Sequence, residues 1–161
     1  SVSLKTNMGD LPVIGSYLDG ATLTTGVAEK EATTIVNADD AFDVTAALTY
    51  NIGNFKLGYQ KKAHNEGQTA STTDAVWYKD EIIGIAYAVN DNLSLSYNTY
   101  DSYIHTSNGG TGQPNQETTA INIGYTMGGM TIGFQDAQTD NDNWTADSTD
   151  DTRTLGISVA F

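Results

Sequence analysis

Hydrophobic and polar residues alternate along much of this chain with a period of two. At the C-terminus Leu155, Ile157, Val159 and Phe161 alternate with Thr154, Gly156, Ser158 and Ala160. The same rhythm sets Val44, Ala46, Leu48, Tyr50 and Ile52 against Asp43, Thr45, Ala47, Thr49 and Asn51. It recurs in Ile121, Ile123, Tyr125 and Met127 against Ala120, Asn122, Gly124 and Thr126, then in Met130, Ile132 and Phe134 against Thr131, Gly133 and Gln135. Successive side chains of a strand point to opposite faces, so this pattern predicts β-strands with one apolar face and one small or polar face.

Short clusters of Gly, Asn and Asp between apolar residues punctuate the strands: Thr6-Asn7-Met8-Gly9-Asp10-Leu11, Tyr50 to Phe55, Tyr87 to Leu93, and Tyr125 to Met130. Gly and Asn accept the positive φ of a tight hairpin turn, so each cluster reads as a hairpin tip. The tips recur at a spacing of roughly 38 residues, the length of two strands of about 10 residues with one tight turn and one longer loop. The polar stretches Ala63 to Lys79, Ser102 to Gln116 and Gln138 to Asp151 read as those longer loops.

Tracing back from the C-terminus predicts nine strands: Arg153–Phe161, Met130–Gln138, Thr118–Met127, Asn92–Tyr103, Glu81–Val89, Phe55–His64, Phe42–Ile52, Leu11–Thr24 and Val2–Met8. Alternation alone also suits a soluble β-sandwich. The aromatic residues favour a membrane barrel. Tyr50, Tyr87 and Tyr125 each precede a turn on the apolar face, and with Phe55 and Phe161 they form an expected aromatic girdle. The fold class expected is all-β, an antiparallel transmembrane β-barrel.

Composition narrows the partners. The chain has 161 residues, no cysteine, and 20 acidic against 7 basic residues, a formal net charge of −13. This balance opposes a basic patch for nucleic acid or an anionic leaflet, and no disulfide or thiolate metal site is possible. No apolar run approaches the length of a membrane helix. One domain over residues 1–161, or a portion of one, is the expected organisation.

Thr154-Leu155-Gly156-Ile157-Ser158-Val159-Ala160-Phe161 resembles the C-terminal signature of outer-membrane barrels: polar, any, Gly, two of any, apolar, any, terminal Phe. Ala38-Asp39-Asp40-Ala41 through Lys61, and the hairpin Ala120 to Gln135, resemble the general porins of alphaproteobacterial type. That resemblance implies a trimeric sixteen-stranded barrel in a Gram-negative outer membrane, open to passive diffusion of small hydrophilic solutes and ions. It further implies contact with outer-membrane lipid and lipopolysaccharide, and recognition of the last strand by the barrel insertion machinery. Members of the family are nearly twice this length and carry their constriction loop in a half not matched here. With the odd strand count, this leads to the expectation of a C-terminal portion. A complete eight-stranded barrel acting as anchor or adhesin, with Ser1 to Asn7 or Leu11 to Thr24 as a loop, stays open, as does a soluble β-domain.

No catalytic, cofactor or metal residue is assigned. In a porin, function rests on the side chains that face water, and parity places Lys5, Asp43, Lys56, Gln60, Lys62, Ser96, Asn98, Tyr100 and Asn122 there as pore-lining candidates. Asp140, Asp142, Asp147, Asp150 and Asp151 invite a calcium reading, yet they lack the central Gly and closing Glu of an EF-hand loop and read better as a solvated acidic loop. His64 and His105 have no second ligand at a metal-binding spacing, and no nucleophile context is visible. Gly109-Gly110-Thr111-Gly112 lies in a polar loop and is turn chemistry rather than a phosphate cradle.

Overall fold

A computed structural model describes residues 1–10, 12, 18–30, 41–65, 76–106 and 113–160. Within them lie nine strands: β1 (Val2–Asn7), β2 (Ala21–Lys30), β3 (Ala41–Ile52), β4 (Phe55–Asn65), β5 (Val76–Ala88), β6 (Leu93–Thr106), β7 (Gln116–Met127), β8 (Met130–Asp140) and β9 (Thr149–Val159). They form one sheet in sequence order, every neighbouring pair antiparallel. This up-and-down order is the simplest way for a chain of hairpins to satisfy its backbone N–H and C=O groups between neighbours. Among the described residues β1 pairs only with β2 and β9 only with β8, and with nine strands β1 and β9 run in the same direction.

The apolar face is the exposed one. Leu48, Ile83, Ile121 and Leu155 all present large fractions of their surface, 67% for Leu155, while the buried hydrophobics among the described residues are Ala21 and Ala120 alone. The residues between them on β5 and β7, including Asp80 and Gly84, Ala120 and Asn122, are the more shielded set. A sandwich would bury its apolar face against a second sheet. This sheet shields its polar face, as the concave side of a curved wall does, and turns its apolar face outward.

The two ends of the sheet differ. At one end the connections are tight: Gly53 and Gly128 adopt φ +54° and +59° between β3–β4 and β7–β8, and the Asn90 side chain accepts from the backbone N–H groups of Asn92 and Leu93 (both 2.9 Å) between β5 and β6. The longer connection from β1 to β2, residues 8–20, lies at this end too, and the other long connections run at the opposite end.

Two expectations need correction. The tight turn expected at Met8 is instead a 3-10 turn over Met8–Asp10, and the second strand begins at Ala21 rather than Leu11, with Asn7 opposite Thr22; Leu11 and residues 13–17 lie outside the described residues. The reversal that matters comes at Gly20, with φ +85°, whose carbonyl receives the Asn51 backbone N–H at 3.0 Å. A Cβ there would sit 2.6 Å from the Asn51 carbonyl oxygen, so the segment can hook back onto β3 only through a glycine. Secondly, the polar stretches expected as loops begin and end inside strands, since β4 reaches Asn65, β5 starts at Val76, β6 runs to Thr106 and β9 starts at Thr149. Ladder hydrogen bonds do not require apolar side chains, so a strand that outruns its hydrophobic stripe keeps its form while its pattern fades. The nine strands among the described residues, Val2–Asn7 and Ala21–Lys30 included, agree with the nine traced in the sequence.

Gly128 tests the turn chemistry on its own, because nothing lies within 4 Å of a Cβ placed there. Gly128→Ala is expected to cost about 1–2 kcal/mol from backbone strain alone, and Gly128→Asn, which tolerates that conformation, distinctly less. Denaturant midpoints of the protein refolded in detergent micelles measure both.

Candidate functional site

The polar face is the candidate site. Side chains directly opposite each other in an antiparallel ladder share a face, so the register can be followed across the sheet from Lys5 through Thr24, Ala47, Gln60 and Ile82 to Tyr100. A second row joins Lys56 to Ala86, Ser96 and Asn122, and Asp43 stands across from His64 two positions above Lys62. All nine sequence-assigned candidates, Asn98 included, thus occupy one face. Asn122 and Asn98 are joined by a 3.2 Å amide hydrogen bond.

Charges of both signs stand on this face, with the lysines of β4 between acidic residues of β3 and β5. Lys5 lies on β1, and Lys56 and Lys62 on β4; Asp43, Asp80 and Asp150 lie on β3, β5 and β9. Asp80 is the most constrained. It is 7% exposed and accepts from the Tyr100 hydroxyl at 3.0 Å and the Ser102 hydroxyl at 2.8 Å, both at Oδ1. Its cross-strand neighbours are Lys62 and Ser102. A carboxyl this shielded needs hydrogen-bond partners, and the two hydroxyls supply them and hold the group at one place in the wall. Sequence parity found Tyr100 and missed Asp80 and Ser102, because Asp80 falls between the stretch read as a loop and the strand expected from Glu81, and Ser102 stands where an expected strand and an expected loop overlap.

Away from Asp80 the face is low. Gly124, Gly133 and Gly156 stand side by side in register, as do Gly58 and Gly84. The first row floors a groove of about 400 Å³ edged by Ser94, Ser96, Asn122, Gln135 and Thr154. Small residues leave that part of the wall open, and polar ones keep it wet.

The outward face carries four of the five aromatic residues singled out in the sequence. Phe55 and Tyr87 are in ring contact at 4.6 Å, and Tyr50 and Tyr125 lie on the same face near their turns; Phe161 lies outside the described residues. A second aromatic group, unforeseen in the sequence, occupies the long-connection end: Phe42 packs edge-on to Trp77 at 5.3 Å, with Tyr103 on the same face opposite Lys79, two positions along β5. Charges among these are paired, Lys61 with Glu81 at 3.4 Å and Arg153 with Asp136 at 3.2 Å. Glu81 also accepts from the Tyr59 hydroxyl at 3.0 Å, and Lys79 lies over the Tyr103 ring. Had outward parity been followed past the apolar stripe, these aromatics would have been found.

Among the described residues no group of three or more His, Cys, Asp or Glu side chains is placed to hold a metal ion. His105 stands opposite Trp77 on the outward face, whereas His64 stacks on Tyr78 at 4.5 Å on the polar face. Residues 109–112, the Gly-rich stretch, lie outside the described residues.

Asp80→Ala leaves two shielded hydroxyls without an acceptor and is expected to destabilise by about 1–3 kcal/mol. Asp80→Asn keeps an acceptor oxygen and should cost clearly less. Urea unfolding of both variants in micelles compares them.

No protein-family model and no curated protein matches the chain. Among solved structures it is similar to an anion-selective porin from Comamonas acidovorans, with TM-score 0.67 and 19% identity, over 86% of this chain and 40% of that one. The NanC porin is similar at TM-score 0.55 and 10% identity, over 99% of this chain and 97% of that one. The chain therefore spans about two fifths of the length of the first porin. Taken with the single antiparallel sheet, these likenesses show an all-β chain with the fold of outer-membrane β-barrel porins.

Proposed function

We propose that this chain is an integral outer-membrane protein forming the wall of a water-filled channel through which small hydrophilic solutes and ions diffuse passively. The observation that carries the reading is the inverted face: large hydrophobics exposed on one side, polar and glycine-rich residues shielded on the other. In water this arrangement would expose far more apolar surface than a soluble monomer tolerates. In a bilayer it is the stable one, since hydrocarbon takes the outward face and water the inner.

The nine strands form a contiguous section of a larger ring in this reading. The bare edges of β1 and β9 and their shared direction support it, because a ring of antiparallel strands closes with an even number. The better of the two superpositions is likewise with a section of a longer porin. General porins of alphaproteobacterial type, assembled as trimers, remain the proposed relatives. Lipopolysaccharide at the long-connection end and the insertion machinery at the last strand remain the proposed partners.

Within the channel, the nine residues from Lys5 to Asn122 line the water. Lys56 and Lys62 on β4 present positive charge to that water, Lys62 beside Asp80 of the neighbouring strand, and add to the field that a permeating ion crosses. No step of this function needs bond-making chemistry, and the protein is proposed not to be an enzyme.

Ion permeation through planar bilayers is the direct test, with discrete conductance steps expected and silence overturning the reading. Replacing both lysines, Lys56→Glu and Lys62→Glu, is expected to lower the anion-to-cation permeability ratio by roughly twofold or more; reversal potentials in a salt gradient measure it. On the outward face, Ile123→Arg is expected to cost about 2–4 kcal/mol in lipid vesicles, the penalty of a cation near the bilayer midplane. Refolding titrations of Ile123→Arg beside the inward control Thr49→Arg would contradict a lipid-facing Ile123 if the two behaved alike.

A further inference from the structure

We propose that the connection between β8 and β9, residues 141–148, is a strap laid over the polar face at the long-connection end, latched by Trp144, and that it sets the width of the channel there. The proposal rests on the channel reading above and assigns it a specific narrowing element.

The strap crosses its neighbours. It leaves β8, yet the Trp144 indole Nε1 donates to the Ser102 carbonyl on β6 at 3.2 Å, and the Trp144 ring lies 5.2 Å from that of Tyr78 on β5. Tyr78 is itself stacked on His64 of β4 at 4.5 Å and 13°. Strands sit about 4.8 Å apart, so the reach from β8 to β5 is about 14 Å along the wall. All three wall residues, His64, Tyr78 and Ser102, belong to the polar face by register. A loop that merely turned from β8 to β9 would have no reason to meet β5.

Two further bonds tack the strap to the start of β7. Asn141 Nδ2 donates to the Asn115 carbonyl at 2.9 Å and the Asn143 backbone N–H to Gln116 Oε1 at 3.0 Å. Inside the strap, Asp142 N–H bonds the Ser148 carbonyl, Thr145 N–H the Asp142 carbonyl and Ser148 N–H the Thr145 carbonyl, while Asp147 N–H bonds Asn141 Oδ1. Ser102 beneath it is 1% exposed.

The backbone agrees. Asn141, Asn143, Trp144 and Asp147 are the non-glycine residues with left-handed φ among those described, all four within this segment. Asn and Asp visit that region readily, but a bulky indole does so only where surrounding contacts hold it. The contacts that hold Trp144 are those to Ser102 and Tyr78. The strap therefore adds a layer of side chains to the inner wall over β5, β6 and β7, and water crossing at that level has less room.

Two measurements on the intact protein test this. In planar bilayers, Trp144→Ala and Tyr78→Ala are each expected to raise unitary conductance, by on the order of 1.5-fold or more, with Trp144→Phe between them and the unmodified protein. In a Trp77→Phe background Trp144 is the sole tryptophan, and its fluorescence is expected to be shielded from acrylamide until Tyr78→Ala unlatches it. Ready quenching before that change would overturn the latch. Conductance that stays the same while Trp144 becomes quenchable would overturn the narrowing role and leave the channel reading standing. A protein that forms no channels at all defeats the channel reading, and the narrowing with it, while quenching still reports on the latch.

Discussion

Every strand of this sheet hands its backbone hydrogen bonds to the next strand, and the structure depends on that transfer. Because the ladder runs without interruption from β1 to β9, the side chains are released from the task of covering the backbone and are free to decide what each face meets. A helix settles its backbone within itself, whereas a strand must borrow a partner on each side. The bare edges of β1 and β9 are the remaining debt, and in hydrocarbon, where no water can satisfy them, an open edge is the least tolerable feature of a sheet.

With the backbone satisfied sideways, the two faces diverge. Outward, Leu57, Ile85 and Ile123 form a stripe bounded by aromatics at both ends, Phe55 against Tyr87 at one and Phe42 against Trp77 at the other. Aromatic rings with a polar tip or edge suit the boundary between oil and water. Two ion pairs lie on that face, Lys61 with Glu81 and Arg153 with Asp136, and Asp101, Glu117 and Asp140 continue the row from Glu81 at the long-connection end. Inward, glycine rows alternate with hydroxyl and amide side chains, and the wall varies in height from one row to the next.

The long-connection end is where the wall thickens. Asp80 draws in Tyr100 and Ser102, His64 and Tyr78 stack beside them, and Trp144 settles on the same group from a connection three strands away. Buried polar groups of this kind are stable only as a complete network, and the network in turn fixes where the strap can lie. At the tight-turn end Gly53, Gly128 and the Asn90 side chain close three hairpins, and the connection from β1 to β2 runs through the 3-10 turn Met8–Asp10 to the hook at Gly20.

Much of this was legible in the residues alone. A period of two in Val44 to Ile52, Ile121 to Phe134 and Leu155 to Val159 fixes which side chains share a face, because the pleat of a strand leaves no other geometry, and the shared face of Lys5, Lys56 and Asn122 followed from parity. The turns at Gly53 and Gly128 were equally plain, since few residues other than Gly accept that φ. Only the tertiary structure decided the rest. Pattern vanishes where polar residues lie on both faces, so the outer reaches of β4, β5, β6 and β9 passed for loops, and Asp80 and Ser102, at the margins of those stretches, gave no sign of meeting. The hook at Gly20 depends on an approach to Asn51 that no local signal encodes. Trp144 reads as one aromatic in an acidic loop; what places it on Tyr78 is the side-by-side order of β5 to β8, a relation between residues far apart in the chain that periodicity along a single strand does not carry.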